Sequence, residues 1–136
     1  AIGGRALLLK GNPGSGKSSL ALALIDRGAV LIGDDGVHLI SDGDHIKACP
    51  APHITGLLEV RGVGLFNHPV CDAAPVSLIL ALDEEGPRLP EELTTWPILG
   101  LSIPLLPFQP GHIAPALRAE MALAKHGLAA PGDRPA

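Results

Sequence analysis

A glycine-rich stretch near the start of the sequence carries its strongest chemical signal. Residues 11–18 read Gly-Asn-Pro-Gly-Ser-Gly-Lys-Ser and match the phosphate-loop pattern G-x-x-x-x-G-K-[ST] at every fixed position. In such a loop the backbone N–H groups and the following helix N-terminus form a concave anion site. Lys17 would contact the β- and γ-phosphates, and the Ser18 hydroxyl would bind Mg²⁺. The pattern therefore predicts a nucleoside triphosphate site.

The elements around this loop have the order that the motif requires. Arg5 to Leu9 is a short apolar run typical of a buried strand. Lys17 to about Asp26 is rich in helix-forming residues, and Gly28 follows where a left-handed helix cap is expected. We therefore predict a strand, a phosphate-binding loop and a helix in succession.

Two adjacent carboxylates follow the next apolar run. Ala29 to Ile32 is predicted as a strand, and it leads into Gly33-Asp34-Asp35-Gly36. Open α/β sheets bind ligands at the C-terminal ends of their strands, which is where this acidic turn would lie. Phosphoryl transfer needs a carboxylate that holds Mg²⁺ or accepts a hydroxyl proton. An acidic turn alone would be read as solvated surface, but the preceding phosphate loop favours a functional reading.

The rest of the chain supplies further strands and a last helix. Glu59 and Arg61 lie two residues apart in the predicted strand 57–65, so they would share one face. In the predicted final helix 113–126, Ile113, Leu117, Met121 and Ala124 fall on one apolar face. The remaining predicted elements are a β-hairpin of 37–40 and 45–48 around an Asp-Gly turn, a strong strand at 76–82, and short strands at 94–98 and 101–106.

The length and amino-acid composition of the sequence indicate which class of protein it belongs to. A chain of 136 residues with 46% hydrophobic residues suits one folded domain, which we place at 1–128 with a flexible tail at 129–136. The net charge of −4 and the lack of a basic cluster argue against nucleic acid as the main partner. No apolar run reaches the roughly 18 residues of a membrane span, and no signal peptide is visible. Cys49 and Cys71 are predicted to be isolated thiols in a reducing cytoplasm.

These motifs together resemble the catalytic domain of HPr kinase/phosphorylase, a bacterial enzyme that acts on a serine of the phosphocarrier protein HPr in the phosphotransferase system. Four pieces match in order over roughly residues 5–128. They are the phosphate loop, the acidic turn in 31–35, the Leu-Glu-Val-Arg-Gly-Val-Gly segment 58–64, and the Ile-Pro-Leu-Leu-Pro-Phe-Gln-Pro-Gly-His segment 103–112. The glutamate-x-arginine-glycine-x-glycine part of 58–64 is the most specific of the four.

The resemblance implies a role for each matching residue. Asp34 would be the general base that takes the serine proton, with Asp35 in support, and Ser18 and Glu59 would be the magnesium ligands. Arg61 lies in the family's catalytic segment, and Arg88 falls where the family carries a catalytic arginine. The ATP-binding set is the loop itself with the next residue, namely Gly11, Asn12, Pro13, Gly14, Ser15, Gly16, Lys17, Ser18 and Ser19.

The chain also departs from the family pattern. It resembles the short single-domain form, and its opening suggests either a trimmed chain or a short lead-in strand ahead of residue 1. The substrate-receiving loop, here 66–72, is shorter than in the family. The family's Arg-Pro-Gly-Arg/Lys element, which is linked to phosphorolysis, reads Gln109-Pro110-Gly111-His112. Losing two fixed cations should weaken binding of inorganic phosphate, so we expect a kinase with reduced or absent phosphorylase activity.

The resulting prediction is an α/β fold, a phosphate-loop mixed sheet with a helix on either side. The favoured function is an ATP- and Mg²⁺-dependent protein serine kinase whose partner is an HPr-type phosphocarrier. The family forms hexamers, so the resemblance implies a homo-oligomer. Two alternatives stay open at this point: a catalytically silent ATP-sensing module, which the short loop 66–72 favours, and a kinase of the same fold with a small-molecule hydroxyl substrate.

Overall fold

The computed structural model describes residues 1–34 and 36–131. This part of the chain contains eight strands and two α-helices. In chain order they are β1 (Ala6–Lys10), α1 (Lys17–Asp26), β2 (Val37–Asp42), β3 (His45–Pro50), β4 (Leu57–Val60), β5 (Gly64–Asn67), β6 (Ala74–Ala81), β7 (Thr94–Ile98), β8 (Leu101–Pro107) and α2 (Pro115–His126).

Strand β6 is the centre of the main sheet. It pairs in parallel with β1 and with β8, and in antiparallel fashion with β3. The β2–β3 hairpin and the antiparallel β7–β8 pair extend this six-stranded sheet. The predicted mixed α/β class and the predicted hairpin around Asp42-Gly43 are therefore confirmed. Because β1 and β6 run in parallel, their C-terminal ends lie at the same end of the sheet.

Both helices lie against the same face of the sheet, which corrects the prediction of a helix on either side. Leu20 and Leu24 of α1 share one buried cluster with Ala119 and Leu123 of α2. A salt bridge of 2.7 Å between Arg27 Nε and Glu120 Oε1 also joins the two helices at the surface. The opposite face of the sheet is covered mainly by the inward-facing side chains of its own curled strands, including Ile46, Ala48 and Ile103.

The apolar face predicted for α2 is the exposed one. Ile113 precedes the helix and is 80% exposed, and Met121 is 61% exposed. The buried face instead consists mainly of small residues, namely Ala116, Ala119, Ala122 and Leu123. Alanines let a helix approach its neighbours closely, and this close packing decides which face of α2 is buried.

Two predicted strands differ from the structure. The segment 29–32 contains only an isolated bridge between Leu31 and Val70, so it is not a full strand. The predicted strand 57–65 is a hairpin of β4 and β5, because the chain turns over 61–63 with a positive φ of 79° at Gly62. Glu59 and Arg61 therefore do not share a strand face. Glu59 lies on β4 and Arg61 lies in the turn.

Truncation of a central side chain should test how much β6 contributes to stability. Leu80 is fully buried between the sheet and the helices. We expect Leu80→Ala to lower the free energy of unfolding by about 2–5 kcal/mol, since the lost contacts leave a cavity. Urea unfolding followed by circular dichroism measures this change. Leu89→Ala is the matched control, because Leu89 is 80% exposed; an equal loss in both variants would contradict the assignment of β6 as the core strand.

Two smaller sequence predictions concern the cysteines and the membrane. Cys49 and Cys71 are free thiols, as predicted. Within the described ranges, neither helix combines the length and the apolar character that crossing a membrane requires.

Candidate active site

The glycine loop joins the end of β1 to the start of α1, in the predicted order. Gly16 precedes the helix with a φ of 97°, a backbone conformation that side chains rarely allow. A Cβ atom at Gly11 would lie 2.5 Å from Ser15 Oγ, so a side chain at position 11 would have to displace the Ser15 hydroxyl. The loop therefore has the tight curvature that turns backbone N–H groups toward an anion.

The loop presents several groups that are suited to bind an anionic ligand. The Ser15 hydroxyl is buried and has no hydrogen-bond partner among the described residues. The N-terminus of α1 has no side-chain cap and no acidic residue in its first turn. Lys17 Nζ donates a hydrogen bond of 2.6 Å to the Gly11 carbonyl and so folds back along the loop. An uncapped helix start, an unused hydroxyl and a nearby ammonium suit a phosphate chain.

Asp34 connects three segments of the chain at this loop. The Ser18 hydroxyl donates a 2.6 Å hydrogen bond to Asp34 Oδ1. The backbone N–H of Glu59 donates a 3.3 Å bond to Asp34 Oδ2. The acidic turn is thereby fixed to the first turn of α1 on one side and to β4 on the other. These bonds place a partly buried carboxylate directly beside the predicted magnesium ligand Ser18.

A second carboxylate contacts the loop, and it was not among the predicted site residues. Asp83 follows β6, and its Oδ2 accepts a 3.2 Å hydrogen bond from the Asn12 backbone N–H. Gln109 holds the backbone on both sides of Asp83, because its Nε2 donates to the Leu82 carbonyl at 3.3 Å and to the Glu84 carbonyl at 2.7 Å. Asp83 thus contacts the loop from the end of β6, and Gln109 holds the backbone around Asp83 from the end of β8.

The segment after β8 is anchored to α2 next to the loop. The Arg118 guanidinium donates hydrogen bonds to the carbonyls of Gln109 and Pro110, at 2.9 and 2.8 Å. It also stacks over the Phe108 ring, 4.8 Å from the ring centroid. A Cβ atom at Gly16 would lie 3.9 Å from Pro110 Cγ, so this segment borders the phosphate loop.

The remaining predicted site residues are less closely tied to this centre. Arg61 in the β4–β5 turn and Arg88 in the loop after β6 are exposed, and neither forms a hydrogen bond or an ion pair with another residue of 1–34 or 36–131. The Glu59 side chain is exposed, and only its backbone contacts Asp34. Asp35 lies outside the described residues.

Comparison with known proteins shows which family this sequence matches. Residues 1–126 match the family model described as the HPr serine kinase C-terminal domain. The chain belongs to this family. It is 39% identical over 112 residues to proteins named HPr kinase/phosphorylase from Burkholderia cenocepacia (strain HI2424) and Paraburkholderia phymatum, matching 74% of the chain and 35% of each relative. The chain therefore spans about a third of the length of these curated relatives.

A solved structure of the family has the same fold. The Hpr(Ser) kinase/phosphatase from Coxiella burnetii matches with a TM-score of 0.71 and 26% sequence identity. The match covers 87% of this chain and 81% of that protein. The family fold is thus present over nearly the whole chain, from the glycine loop to α2.

The residues of this family member fit a magnesium nucleotide better than a metal bound by the protein alone. No group of three or more histidine, cysteine, aspartate or glutamate side chains gathers around one point in residues 1–34 and 36–131. Mg²⁺ in phosphoryl-transfer sites commonly takes one or two protein ligands and fills its shell with waters and phosphate oxygens. The predicted ligands Ser18 and Glu59 form such a small set, and both are hydrogen-bonded to Asp34, Ser18 through its hydroxyl and Glu59 through its backbone N–H.

One sequence signal could have found Asp83. Seven residues without a formal charge, 76–82, precede it directly, and six of them are apolar. When a buried strand runs parallel to the strand before the phosphate loop, the residue that follows it lies at the same C-terminal end of the sheet as the loop. The strand at 76–82 was predicted, but Asp83 was not recognised as a site residue. No comparable signal marks Gln109, because only the tertiary contact shows which carbonyls it binds.

Proposed function

We propose that this chain is the catalytic domain of an ATP- and Mg²⁺-dependent protein serine kinase, which phosphorylates a serine of an HPr-type phosphocarrier in the cytoplasm. Family membership supports kinase chemistry on HPr. The observation that carries the proposal is the 2.6 Å hydrogen bond between Ser18 and Asp34 at the glycine loop. A protein that only sensed ATP would need the loop and Lys17, but it would not need a carboxylate held beside them.

Each residue of the site has a distinct task in this proposal. ATP would supply the γ-phosphoryl group, and Mg²⁺ would neutralise negative charge on the phosphates. The loop amides and Lys17 hold the phosphate chain in line for transfer. Ser18 provides a magnesium ligand together with Glu59. Asp34 orients the substrate serine and accepts its hydroxyl proton as the serine oxygen bonds to phosphorus and ADP leaves.

The substitutions in the 109–112 segment support a weaker reverse reaction. Phosphorolysis uses inorganic phosphate, an anion that binds best to fixed cationic side chains. Here Gln109 is neutral, and it is already engaged with two backbone carbonyls. Arg118 is nearby, but its hydrogen bonds are directed at the carbonyls of Gln109, Pro110 and Ile113. We therefore propose that phosphate-dependent dephosphorylation of the carrier is reduced or absent.

An intact-mass assay tests both halves of this proposal. The protein is incubated with Mg²⁺-ATP and an HPr-type carrier from the same organism, and the added mass is mapped by fragmentation. We expect one phosphate on a carrier serine. The phosphorylated carrier is then purified and incubated with the protein and inorganic phosphate. We expect the carrier serine to lose little or no phosphate. The matched control is a carrier in which the modified serine is replaced by alanine.

Different failures of this assay point to different alternatives. Failure to phosphorylate the carrier, with ATP binding confirmed by calorimetry, would contradict the protein-kinase proposal. Transfer of the γ-phosphoryl group from ATP to the hydroxyl of a small compound, with release of ADP, would then support the small-molecule kinase. Binding of ATP without turnover would support the ATP-sensing module. Substantial phosphate-dependent dephosphorylation would contradict the proposed reduction of phosphorylase activity. It would leave the protein-kinase proposal unchanged.

A further inference from the structure

The peptide bond between Gly11 and Asn12 lies where the glycine loop begins, and both of its polar groups are held by charged side chains. The Gly11 carbonyl accepts the 2.6 Å hydrogen bond from Lys17 Nζ. The Asn12 N–H donates the 3.2 Å hydrogen bond to Asp83 Oδ2. Because the N–H and the C=O of a trans peptide such as this one point in opposite directions, Lys17 and Asp83 hold the peptide from opposite sides.

The charges on the two sides favour one orientation of this peptide. A positive ammonium faces the carbonyl oxygen, and a negative carboxylate faces the amide hydrogen. Rotating the peptide by half a turn would direct the carbonyl at the carboxylate and the N–H at the ammonium, so both contacts would become repulsive. Such a rotation changes ψ of Gly11 and φ of Asn12, and glycine and asparagine are among the residues that tolerate unusual backbone angles most readily. The two charged side chains therefore oppose a peptide flip at a position where the backbone itself would permit one.

The residues that follow form a tight turn, whose direction depends on this first peptide. The Ser15 N–H donates a 3.0 Å hydrogen bond to the Asn12 carbonyl. Pro13 and Gly14 occupy the two positions between them, and Gly14 has a φ of 88°. Proline followed by a glycine of positive φ is typical of a type II β-turn. The turn leads through Gly16 into α1, so a change in the first peptide would redirect the N–H groups that face the anion.

Backbone pairing beyond the ends of the strands brings Asp83 to this peptide. The Lys10 carbonyl accepts a 2.8 Å hydrogen bond from the N–H of Leu82, the residue directly after β6. This bond extends the parallel pairing of β1 with β6 to the start of the loop. Asp83 is the next residue, which places its carboxylate within reach of the Asn12 N–H.

Gln109 restrains the backbone that carries Asp83. The Phe108 N–H donates a 2.9 Å hydrogen bond to the Ala81 carbonyl, which extends the pairing of β6 with β8 by one residue. Gln109 follows, and its Nε2 donates to the two carbonyls that flank Asp83. Two hydrogen bonds to carbonyls on both sides of one residue restrict the rotation of its backbone, and with it the direction of its side chain.

We propose that Asp83 is a positioning residue that keeps the Gly11–Asn12 peptide in its nucleotide-binding orientation, and that Gln109 positions Asp83 in turn. This inference rests on the proposed function, because it takes Lys17 to bind the phosphates of ATP. When the Lys17 ammonium turns toward the phosphates, its hold on the Gly11 carbonyl weakens, and Asp83 becomes the main restraint on the peptide. A loop that has the correct shape only part of the time binds its ligand more weakly in the same proportion.

Calorimetric titration of the full chain with Mg²⁺-ATP tests this role by comparing two neutral side chains at position 83. Asp83→Asn keeps an oxygen that accepts from the Asn12 N–H, whereas Asp83→Ala removes the acceptor. Neither variant carries the negative charge, so any repulsion between that charge and the phosphates is absent from both. We expect the Kd of Asp83→Ala to be about 3- to 10-fold higher than that of Asp83→Asn. Glu85→Ala, in the same exposed loop, is the control for unchanged binding.

A double-mutant cycle tests whether Gln109 acts through Asp83. Gln109→Met keeps the length of the side chain but removes its N–H donors. We expect this change to raise the Kd for Mg²⁺-ATP by about 2- to 5-fold when Asp83 is present and to leave it unchanged in the Asp83→Ala background. An equal rise in both backgrounds, together with a lower Tm, would show that Gln109 supports the fold instead and would contradict its action through Asp83.

The kinetic signature of Asp83→Ala separates positioning of the loop from a part in the chemical step. Loss of a restraint that serves bound ATP and the transition state equally should raise KM for ATP and leave kcat within about twofold of the parent value. Equal Kd values for Asp83→Asn and Asp83→Ala would overturn the positioning role alone. Absence of Mg²⁺-ATP binding by the parent chain would contradict the proposed function and this inference together, so the two failures are distinguishable.

Discussion

Replacing Asp34 with asparagine should lower the rate of phosphoryl transfer by about 10²- to 10⁴-fold, the usual contribution of a positioned general base. The change is nearly isosteric. An asparagine carbonyl can still accept the bond from the Glu59 N–H, and its amide nitrogen can donate to the Ser18 hydroxyl. The acidic turn should therefore keep its place while losing the group that accepts the serine proton. We expect kcat to fall, with ATP affinity changed only a few-fold.

Three measurements separate this catalytic loss from a structural one. Carrier phosphorylation gives kcat, calorimetry gives the Kd for Mg²⁺-ATP, and thermal unfolding gives Tm. The matched control is Asp44→Asn, in the β2–β3 turn and away from the glycine loop. A near-normal rate of phosphoryl transfer in Asp34→Asn would show that Asp34 is not the general base. A large fall in Tm together with lost ATP binding would instead show that its hydrogen bonds to Ser18 and Glu59 mainly support the fold.

The parts of the fold that the sequence predicted well are those determined by nearby residues. The glycine loop and α1 follow from a motif and a local helix signal, and the β2–β3 hairpin follows from its Asp-Gly turn. The segment 29–32 is different, because a strand exists only through its partners. Its apolar residues indicated burial, yet just Val30 and Leu31 are paired in the described structure. The predicted apolar face of α2 is exposed, because periodicity shows that a face is apolar and does not show what covers it.

The residues of the candidate site likewise include some that were predicted from the nearby sequence and others that depend on tertiary contacts. Lys17 and Ser18 came from the loop pattern itself, and Asp34 came from its position after an apolar run together with the family resemblance. Asp83 was not identified, since its partner Asn12 in the loop is 71 residues away in the chain. The bonds of Gln109 to the Leu82 and Glu84 carbonyls were not predicted either, because they join the ends of two different strands. Their contacts arise from the parallel arrangement of β1, β6 and β8. Arg61 was placed on the predicted strand 57–65, whereas the positive φ of Gly62 forms a turn there.

Replacing Lys17 with alanine is the second change with a large expected effect. The Lys17 ammonium donates to the Gly11 carbonyl at 2.6 Å, which holds it beside the loop. During transfer, negative charge on the phosphate oxygens must be stabilised by fixed donors, and removing one such donor commonly costs about 10²- to 10³-fold in rate. We expect Lys17→Ala to lower kcat/KM for ATP by at least about 10². Lys125→Ala, in the exposed last turn of α2, is the matched control.

The kinetic pattern of Lys17→Ala also distinguishes its role from that of Asp34. Lys17 would contact ATP in both the bound state and the transition state, so its loss should raise KM for ATP and lower kcat together. Asp34 would act on the serine proton during transfer, so its loss should lower kcat with little change in KM. Because both act on one chemical step, the double variant should be less impaired than the product of the single effects. Strictly multiplicative losses would argue that Lys17 and Asp34 serve separate events, with Lys17 limited to capturing the nucleotide.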